Sequence, residues 1–394
     1  MNTMPARDPA AEVAVSRPSD EPPRPNPRKL VGRLADLVLS DYFVLYMSLA
    51  YVAVLAPFLP TLLLPANIVN VMSNMWPLLA VAVGQTFVLA IAGIDLSQGS
   101  VVAMTSVIGA ALIATVANPV VLSNAPIWGV LIAEDGGLLN GMTGSLLAAI
   151  LVMIMVAMLI GLLNGAAVAM LNMPAFMVTL VSMITFSALA IYLTQSENIA
   201  RLPAEYVRLG KGDIVSVYFG AKEESQIARR TIYSFISYPM VIAVSLAIAM
   251  HLLLNRTVFG RYVLAIGINR KAAEISGVPV RRIIVTVYML SAACAAIGAL
   301  LYSARLEAGR PTLGEGTFLL DVIGAVVIGG TSLFGGKAKI LWTFFGVLFF
   351  VLLSNTLNLM NLSSFQVDMV KGAVILGAAL LDVFRTRLMR ERSG

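Results

Sequence analysis

The sequence predicts an all-α integral membrane protein of about ten transmembrane helices, interrupted by Gly-rich broken or re-entrant segments. Three observations carry that prediction. First, the 394 residues are 59% hydrophobic and only 12% charged, whereas soluble globular domains are roughly 25% charged. A chain so apolar cannot cover itself with polar surface, so lipid must be the solvent for much of it. Second, the apolar residues fall in runs close to the ~20 residues that a helix needs to cross a bilayer core. Third, the charged residues sit in the gaps between those runs.

The elements follow in chain order. Residues 1–40 form a polar, Pro- and Arg-rich arm that includes Pro22, Pro23, Pro25 and Pro27. It has neither the apolar core nor the small-residue cleavage site of a removable signal peptide. Its composition predicts a disordered cytoplasmic arm, with the first apolar run acting as an uncleaved insertion signal. The transmembrane domain is expected over 41–384, with runs at 42–64, 71–93, 100–118, 145–171, 174–194, 238–255, 284–303, 318–334, 341–358 and 366–384. A basic cytoplasmic tail, 385–394, ends the chain. Gly-rich breaks separate the two closest pairs of runs, Gly93 to Gly99 and Gly329 to Gly336, and a re-entrant turn at either would alter the span count.

Basic residues orient the spans, because Lys and Arg concentrate in cytoplasmic loops. Arg24, Arg28, Lys29 and Arg33 precede the first run, and Arg385, Arg387, Arg390 and Arg392 follow the last. Both termini are therefore expected in the cytoplasm, which requires an even number of spans. Segment 256–282, with Arg256, Arg261, Arg270, Lys271, Arg281 and Arg282, falls inside too. Loops 65–70, 119–143 and 359–365 hold no Lys or Arg and fall outside. The long loop 195–237 is the exception, an external loop with Arg201, Arg208, Lys211, Lys222, Arg229 and Arg230. Its interspersed acids point to a small folded element.

The same inventory excludes several functions. The net charge of +6 is spread over the inter-run gaps rather than gathered on one patch, which argues against nucleic acid. A single cysteine, Cys294, excludes an internal disulfide framework and a multi-cysteine metal site. The single histidine, His251, has no evident partner for zinc or acid–base work. No cofactor is expected. Gly335-Gly336-Lys337-Ala338 imitates the end of a phosphate-binding loop but lacks the hydroxyl residue, and Thr331 stands where the first glycine belongs.

Polar residues inside apolar runs are costly and so are candidates for a translocation pathway. Asp95 and Ser97 lie in the first break, Thr331 and Ser332 in the second, and Asn164 in the fourth run. Asp321, Gln85, Asn355 and Asn358 are others, and Asp368 and Lys371, three apart, are placed to pair. The bland reading of each is interhelical hydrogen bonding. Ile91–Gly99 echoes Ile328–Gly336 at Ile, the second Gly, Leu and the last Gly. Duplication is common in transporters, and four simple matches are also compatible with chance.

The most specific segment runs from Gly260 to Pro279. Asn269 is suited to cap a short helix over Arg270–Ser276, with Ala272 and Ala273 as strong helix formers. Arg270 and Glu274 lie four apart on one face, and Gly277 is placed to end the helix. Composition leaves two readings, a plug for a cytoplasmic partner or a helix lying on anionic head groups.

This segment, with Gly260, Arg261 and Gly267 at its start, resembles the cytoplasmic coupling loop of the ribose, xylose, arabinose and galactose permeases of bacterial ABC-type importers. Gly93-Ile-Asp-Leu-Ser-Gln-Gly-Ser100, Asn164-Gly165, Pro174-Ala-Phe-Met-Val-Thr-Leu180, Gly329–Gly336 and Val370-Lys-Gly-Ala-Val-Ile-Leu376 also resemble that family's motifs, in order, over about 60–384. The Pro-rich arm and the loops 119–143 and 195–237 depart from it. The resemblance implies a non-enzymatic transport subunit in the bacterial inner membrane. Its implied partners are a cytoplasmic ABC ATPase, a periplasmic or extracellular sugar-binding protein, and a second permease subunit, identical or related. A secondary carrier driven by protons or sodium is the rival reading.

Overall fold

The computed structural model describes residues 40, 42–218 and 232–393. The expected arm up to residue 39, the basic residues Lys222, Arg229 and Arg230, and the side chains of the tail lie outside the described residues. Each predicted run contains a helix. In order these are α1 (Phe43–Leu55), a 3-10 turn (Pro60–Leu63), α2 (Pro65–Ala90) and α3 (Gln98–Ile113). A short α4 (Pro119–Leu122) and a minimal hairpin of β1 (Ile132–Ala133) and β2 (Gly136–Gly137) lead into α5 (Ser145–Met170) and α6 (Ala175–Thr194). Next come α7 (Ala204–Lys211), β3 (Asp213–Tyr218), β4 (Ile232–Ser237), α8 (Tyr238–Arg256), α9 (Val258–Ile268) and α10 (Arg270–Ile275). The chain closes with α11 (Val280–Leu306), α12 (Phe318–Gly329), α13 (Ile340–Leu359) and α14 (Ser364–Ser393).

Among the described residues, α2, α5, α6, α8, α11 and α13 are long and apolar enough to cross a membrane. Two others are shorter than the expected runs. The run 42–64 yields only the 13-residue α1, about 20 Å long at 1.5 Å per residue, because the chain turns near Pro57 and Pro60. The run 318–334 yields the 12-residue α12, which ends at Gly330 with φ +110°. That left-handed conformation is available to glycine at little cost and stops the helix at this point.

Residues 44–394 form one compact unit with α11 at its centre, packed on α2, α3, α5 and α7. Small residues bring the backbones together, since helices in lipid associate by close packing rather than by a hydrophobic drive. Gly161 and Gly165 form a Gly-x-x-x-Gly face on α5, and a Cβ at Gly165 would lie 2.7 Å from the Val285 Cα of α11. Gly84 of α2 likewise rests against Ser291 and Cys294 of α11.

The two loops that depart from the family pattern are strapped to helix ends. Within 119–143, the N–H groups of Gly137 and Leu139 donate to the carbonyls of Ala114 and Leu112 at 2.8 Å each. They satisfy acceptors that the end of a helix leaves free. Within 195–237, Ile199 and Gly309 exchange two backbone hydrogen bonds of 2.9 Å, and the Tyr206 hydroxyl meets Ser303 Oγ at 2.6 Å. The expected folded element is thus α7 followed by the β3–β4 hairpin, which is antiparallel with Ser216 opposite Ser234.

Candidate functional site

The first break begins where α2 ends. Ala92 takes a positive φ of 59°, and the chain crosses back to start α3 at Gln98. Asp95 holds this turn together. Its Oδ1 accepts from the Ser97 N–H (2.9 Å) and the Ser97 hydroxyl (2.6 Å), and its Oδ2 accepts from the Ser291 hydroxyl of α11 (3.1 Å). Gln98 Nε2 donates to Ser291 Oγ at 2.7 Å, and Asn164 Nδ2 of α5 donates to Ser97 Oγ at 2.9 Å. The Thr179 hydroxyl of α6 lies 3.2 Å from the Ile94 carbonyl. The motifs read separately along the chain, around Asp95, Asn164 and Thr179, therefore converge on one turn. Asp95 is only 2% exposed and Ser97 1%, so the cluster is a buried clasp for a helix break. The Tyr288 hydroxyl and Gln98 Oε1, at its edge, are buried without a hydrogen-bond partner among the described residues.

Thr331 and Ser332 do not join that network. They sit in the second break, where the Ser332 N–H donates to the Lys337 carbonyl (3.0 Å) and the Gly335 N–H to the Ser332 carbonyl (3.2 Å). Ser332 Oγ accepts from the Phe334 N–H at 3.2 Å, and the Thr331 hydroxyl is buried with no hydrogen-bond partner among the described residues. The two breaks nevertheless touch, because the Gly336 N–H donates to the Ala90 carbonyl at 2.9 Å.

The segment 260–279 closes on this junction. Thr257 caps α9 by accepting from the Gly260 N–H (3.2 Å), and Gly260 presses against the Leu254 carbonyl at the end of α8. Gly267, near the end of α9, lies against Ala90 O and Gly336 N, leaving no room for even a methyl group. Asn269 Oδ1 then accepts from the Ala272 N–H at 3.0 Å, capping α10 as its sequence predicts. Gly277 ends that short helix with φ +81°. Ala273 is buried, whereas Arg261, Arg270, Ala272 and Glu274 are exposed. The expected Arg270–Glu274 pair does not form. The Arg270 guanidinium instead reaches Asn172 Oδ1 at 3.4 Å, because six residues of helix give the long side chain freedom to bridge to the α5–α6 turn. Arg270, Lys271, Glu274 and Arg281 border a cavity of about 370 Å³. Ile268 and Ile275 project beside it, 76% and 81% exposed.

Roughly 24–34 Å from Ala90 along α2 (1.5 Å per residue), toward its other end, lies a second polar region. Asn67, Asn70 and Asn74 recur at helical spacing on α2 and face Asn355 and Asn358 of α13 across a cavity of about 350 Å³. Asn67 and Asn355 exchange reciprocal amide hydrogen bonds of 2.9 Å. Arg305 of α11 donates to Asn74 Oδ1 (2.7 Å) and Asn70 Oδ1 (3.3 Å). On the same cavity the Lys371 ammonium pairs with Asp321 Oδ2 at 2.8 Å. This overturns the expected pairing of Lys371 with Asp368, which accepts instead from Thr317 at 3.2 Å; in α14 the ammonium is drawn to the more enclosed carboxylate of α12. A wider cavity of about 1040 Å³, bordered by α7 and the β3–β4 hairpin, shares Asn74 and Tyr302 with the smaller one. Sequence reasoning noted Asn355 and Asn358 singly and missed the α2 asparagines, whose recurrence at i, i+3 and i+7 in an apolar helix was the available signal.

Comparison with known proteins agrees with this arrangement. A family model described as branched-chain amino acid transport system / permease component matches residues 67–379. The chain is 35% identical to the ribose import permease protein RbsC of Bacillus subtilis, over 87% of this chain and 92% of that protein. It is 30% identical to the RbsC of Escherichia coli K12, over 85% of this chain and 91% of the relative. It is 29% identical to the L-arabinose ABC transporter permease protein AraH of Azospirillum brasilense, over 88% of each. No solved structure matches. A match of this extent, on a bundle of apolar helices, makes the chain a member of the branched-chain amino acid transport system / permease component family, a multi-pass membrane permease.

Proposed function

We propose that the chain is the membrane-spanning subunit of an ATP-driven importer that carries a monosaccharide across the bacterial inner membrane. The relatives named above are ribose and L-arabinose permeases, and the family's amino-acid title does not carry over to the substrate. With both termini cytoplasmic, α9 and α10 face the cytoplasm, and the asparagine-lined cavity, α7 and the β3–β4 hairpin face outward. A binding protein then docks at the outer rim, a second permease subunit completes the channel, and ATP is hydrolysed on a separate subunit.

The observation that carries this reading is the three-way contact of Gly267 with Ala90 and Gly336. Movement of α9 and α10 is delivered straight to both helix breaks, because close-packed backbones displace one another instead of absorbing the motion. The exposed Ile268 and Ile275, set among basic side chains, form a knob suited to an ATPase groove; the same residues on a membrane-surface helix would need no rigid link behind them. Asp95, Ser97 and Asn164 then clasp the first break while Thr331 and Ser332 shape the second.

Reconstitution of the permease with its ATPase and binding protein tests the reading. ATP-dependent uptake of labelled ribose or L-arabinose is expected, without uptake of labelled leucine. Ala273→Pro removes the N–H that donates to the Asn269 carbonyl at 3.0 Å, costing about 3 kcal/mol of local helix stability. It should abolish uptake and co-purification with the ATPase while membrane insertion persists. Uptake driven by a proton or sodium gradient through the chain alone would replace this reading with a secondary carrier.

A further inference from the structure

The asparagine-lined cavity has hydrogen-bonding capacity that its own packing does not use. Asn67 and Asn355 satisfy each other, but no partner is recorded for Asn70 Nδ2, for the Asn358 amide, or for the buried Asp321 Oδ1 among the described residues. Arg305 sets the polarity of this wall. By donating to the Asn70 and Asn74 oxygens, it fixes those oxygens toward itself and leaves the Asn70 NH₂ free to donate elsewhere. Lys371 is held by Asp321. The groups left over are therefore neutral amide donors and acceptors plus one fixed carboxylate acceptor.

A ligand for such a wall must donate and accept at several points and carry no net charge, which is the chemistry of adjacent hydroxyl groups. The rings of Tyr302 and Phe350 border the same space and offer apolar faces for the C–H side of such a molecule. A volume of about 350 Å³ sits at the small end of the range for ligand pockets, roughly 300–1,000 Å³. An anion would find both nearby cations already engaged. Placement fits a path as well: the cavity neighbours the wider outer cavity, with Asn74 and Tyr302 lining both. Pro77 in α2 lacks the N–H that an uninterrupted helix would donate to the carbonyl of Ser73, a residue that lines the wider cavity.

We propose that this cavity is a monosaccharide-binding station on the permease itself, in which Asn70, Asn358 and the free oxygen of Asp321 hydrogen-bond the hydroxyls of the passing sugar. The proposal rests on the importer reading, and the experiment separates the two. The complete assembly of permease, ATPase and binding protein is reconstituted, with labelled ribose and labelled L-arabinose as probes. Asn70→Leu should lower uptake about tenfold, in line with the net worth of one hydrogen bond, while binding-protein-stimulated ATP hydrolysis continues. In a Cys294→Ala background, Asn358→Cys should react with an impermeant thiol reagent from outside, uptake should stop on modification, and excess unlabelled ribose should slow the reaction. Ser123→Cys, exposed in the 119–143 loop, should react equally without loss of uptake. Should Asn358→Cys lose uptake before modification while ATP hydrolysis persists, the assignment is supported directly. If the parent assembly moves neither sugar, the importer reading fails. If the parent moves sugar, and Asn70→Leu and modified Asn358→Cys move it equally fast, the station is elsewhere and this proposal is overturned.

Discussion

At one end of α2 the Ala90 carbonyl accepts from Gly336 and lies against Gly267, three backbones meeting without space for a methyl group. At the other end Asn67, Asn70 and Asn74 of the same helix open onto a cavity of about 350 Å³. Both regions are rich in polar residues within an apolar bundle, yet the polarity serves different ends. Around the breaks it is turned inward, to backbone groups that an interrupted helix leaves unpaired and that hydrocarbon cannot hydrate. Around the cavity it is turned toward open space. Polar content alone therefore does not separate a structural clasp from a wall that has room beside it.

The contrast can be tested from either end. The largest effect on stability is expected at the cavity, where Lys371→Met leaves Asp321 without its counter-ion. Breaking one side of an enclosed pair costs about 3–5 kcal/mol, and the purified protein should unfold at a distinctly lower temperature. The double variant Asp321→Asn with Lys371→Met should recover most of that loss. Equal destabilisation by single and double variants would show that packing, not charge, holds this end. A smaller effect is expected at the junction, where Gly267→Ala forces a Cβ into two backbones. Overpacking costs roughly 1–3 kcal/mol, and uptake should fall far more than stability does. Normal uptake by this variant would show that the tight contact transmits nothing. The smallest effect belongs to Glu274→Arg, which lies on an exposed surface and has no ion pair to lose. Stability should change by only a few tenths of a kcal/mol, whereas ATPase association should weaken as the basic rim of Arg270, Lys271 and Arg281 gains another charge. Unchanged association would place the docking surface away from α10.

Local features were legible in the sequence wherever neighbouring residues decide them. Asn269 caps α10 and Gly277 ends it because cap and stop act within one turn of chain. The clasp residues Asp95 and Ser97 were visible as polar groups in a Gly-rich break, and Asn164 as an amide in a span. Side-chain pairing was read less well. Lys371 is three residues from Asp368, and the packing of α14 on α12 decides that it meets Asp321 instead. Arg270 likewise passes over Glu274 for Asn172. The Gly-rich stretches marked two breaks, but nothing in the four residues they share says that one donates a hydrogen bond to the other.

The apolar runs, their basic flanks and their caps were set by composition and spacing, because a bilayer demands a minimum helix length and an interrupted helix demands polar relief on the spot. Assembly of the bundle decided what those parts do together. The α2 asparagines become a cavity wall only when α13 and α11 are brought opposite them, and Gly267 becomes a link only when two distant helix breaks are packed against it. Both outcomes depend on where small residues such as Gly84, Gly161 and Gly165 let helices approach, and close approach is a property of two surfaces, which no single stretch of chain contains.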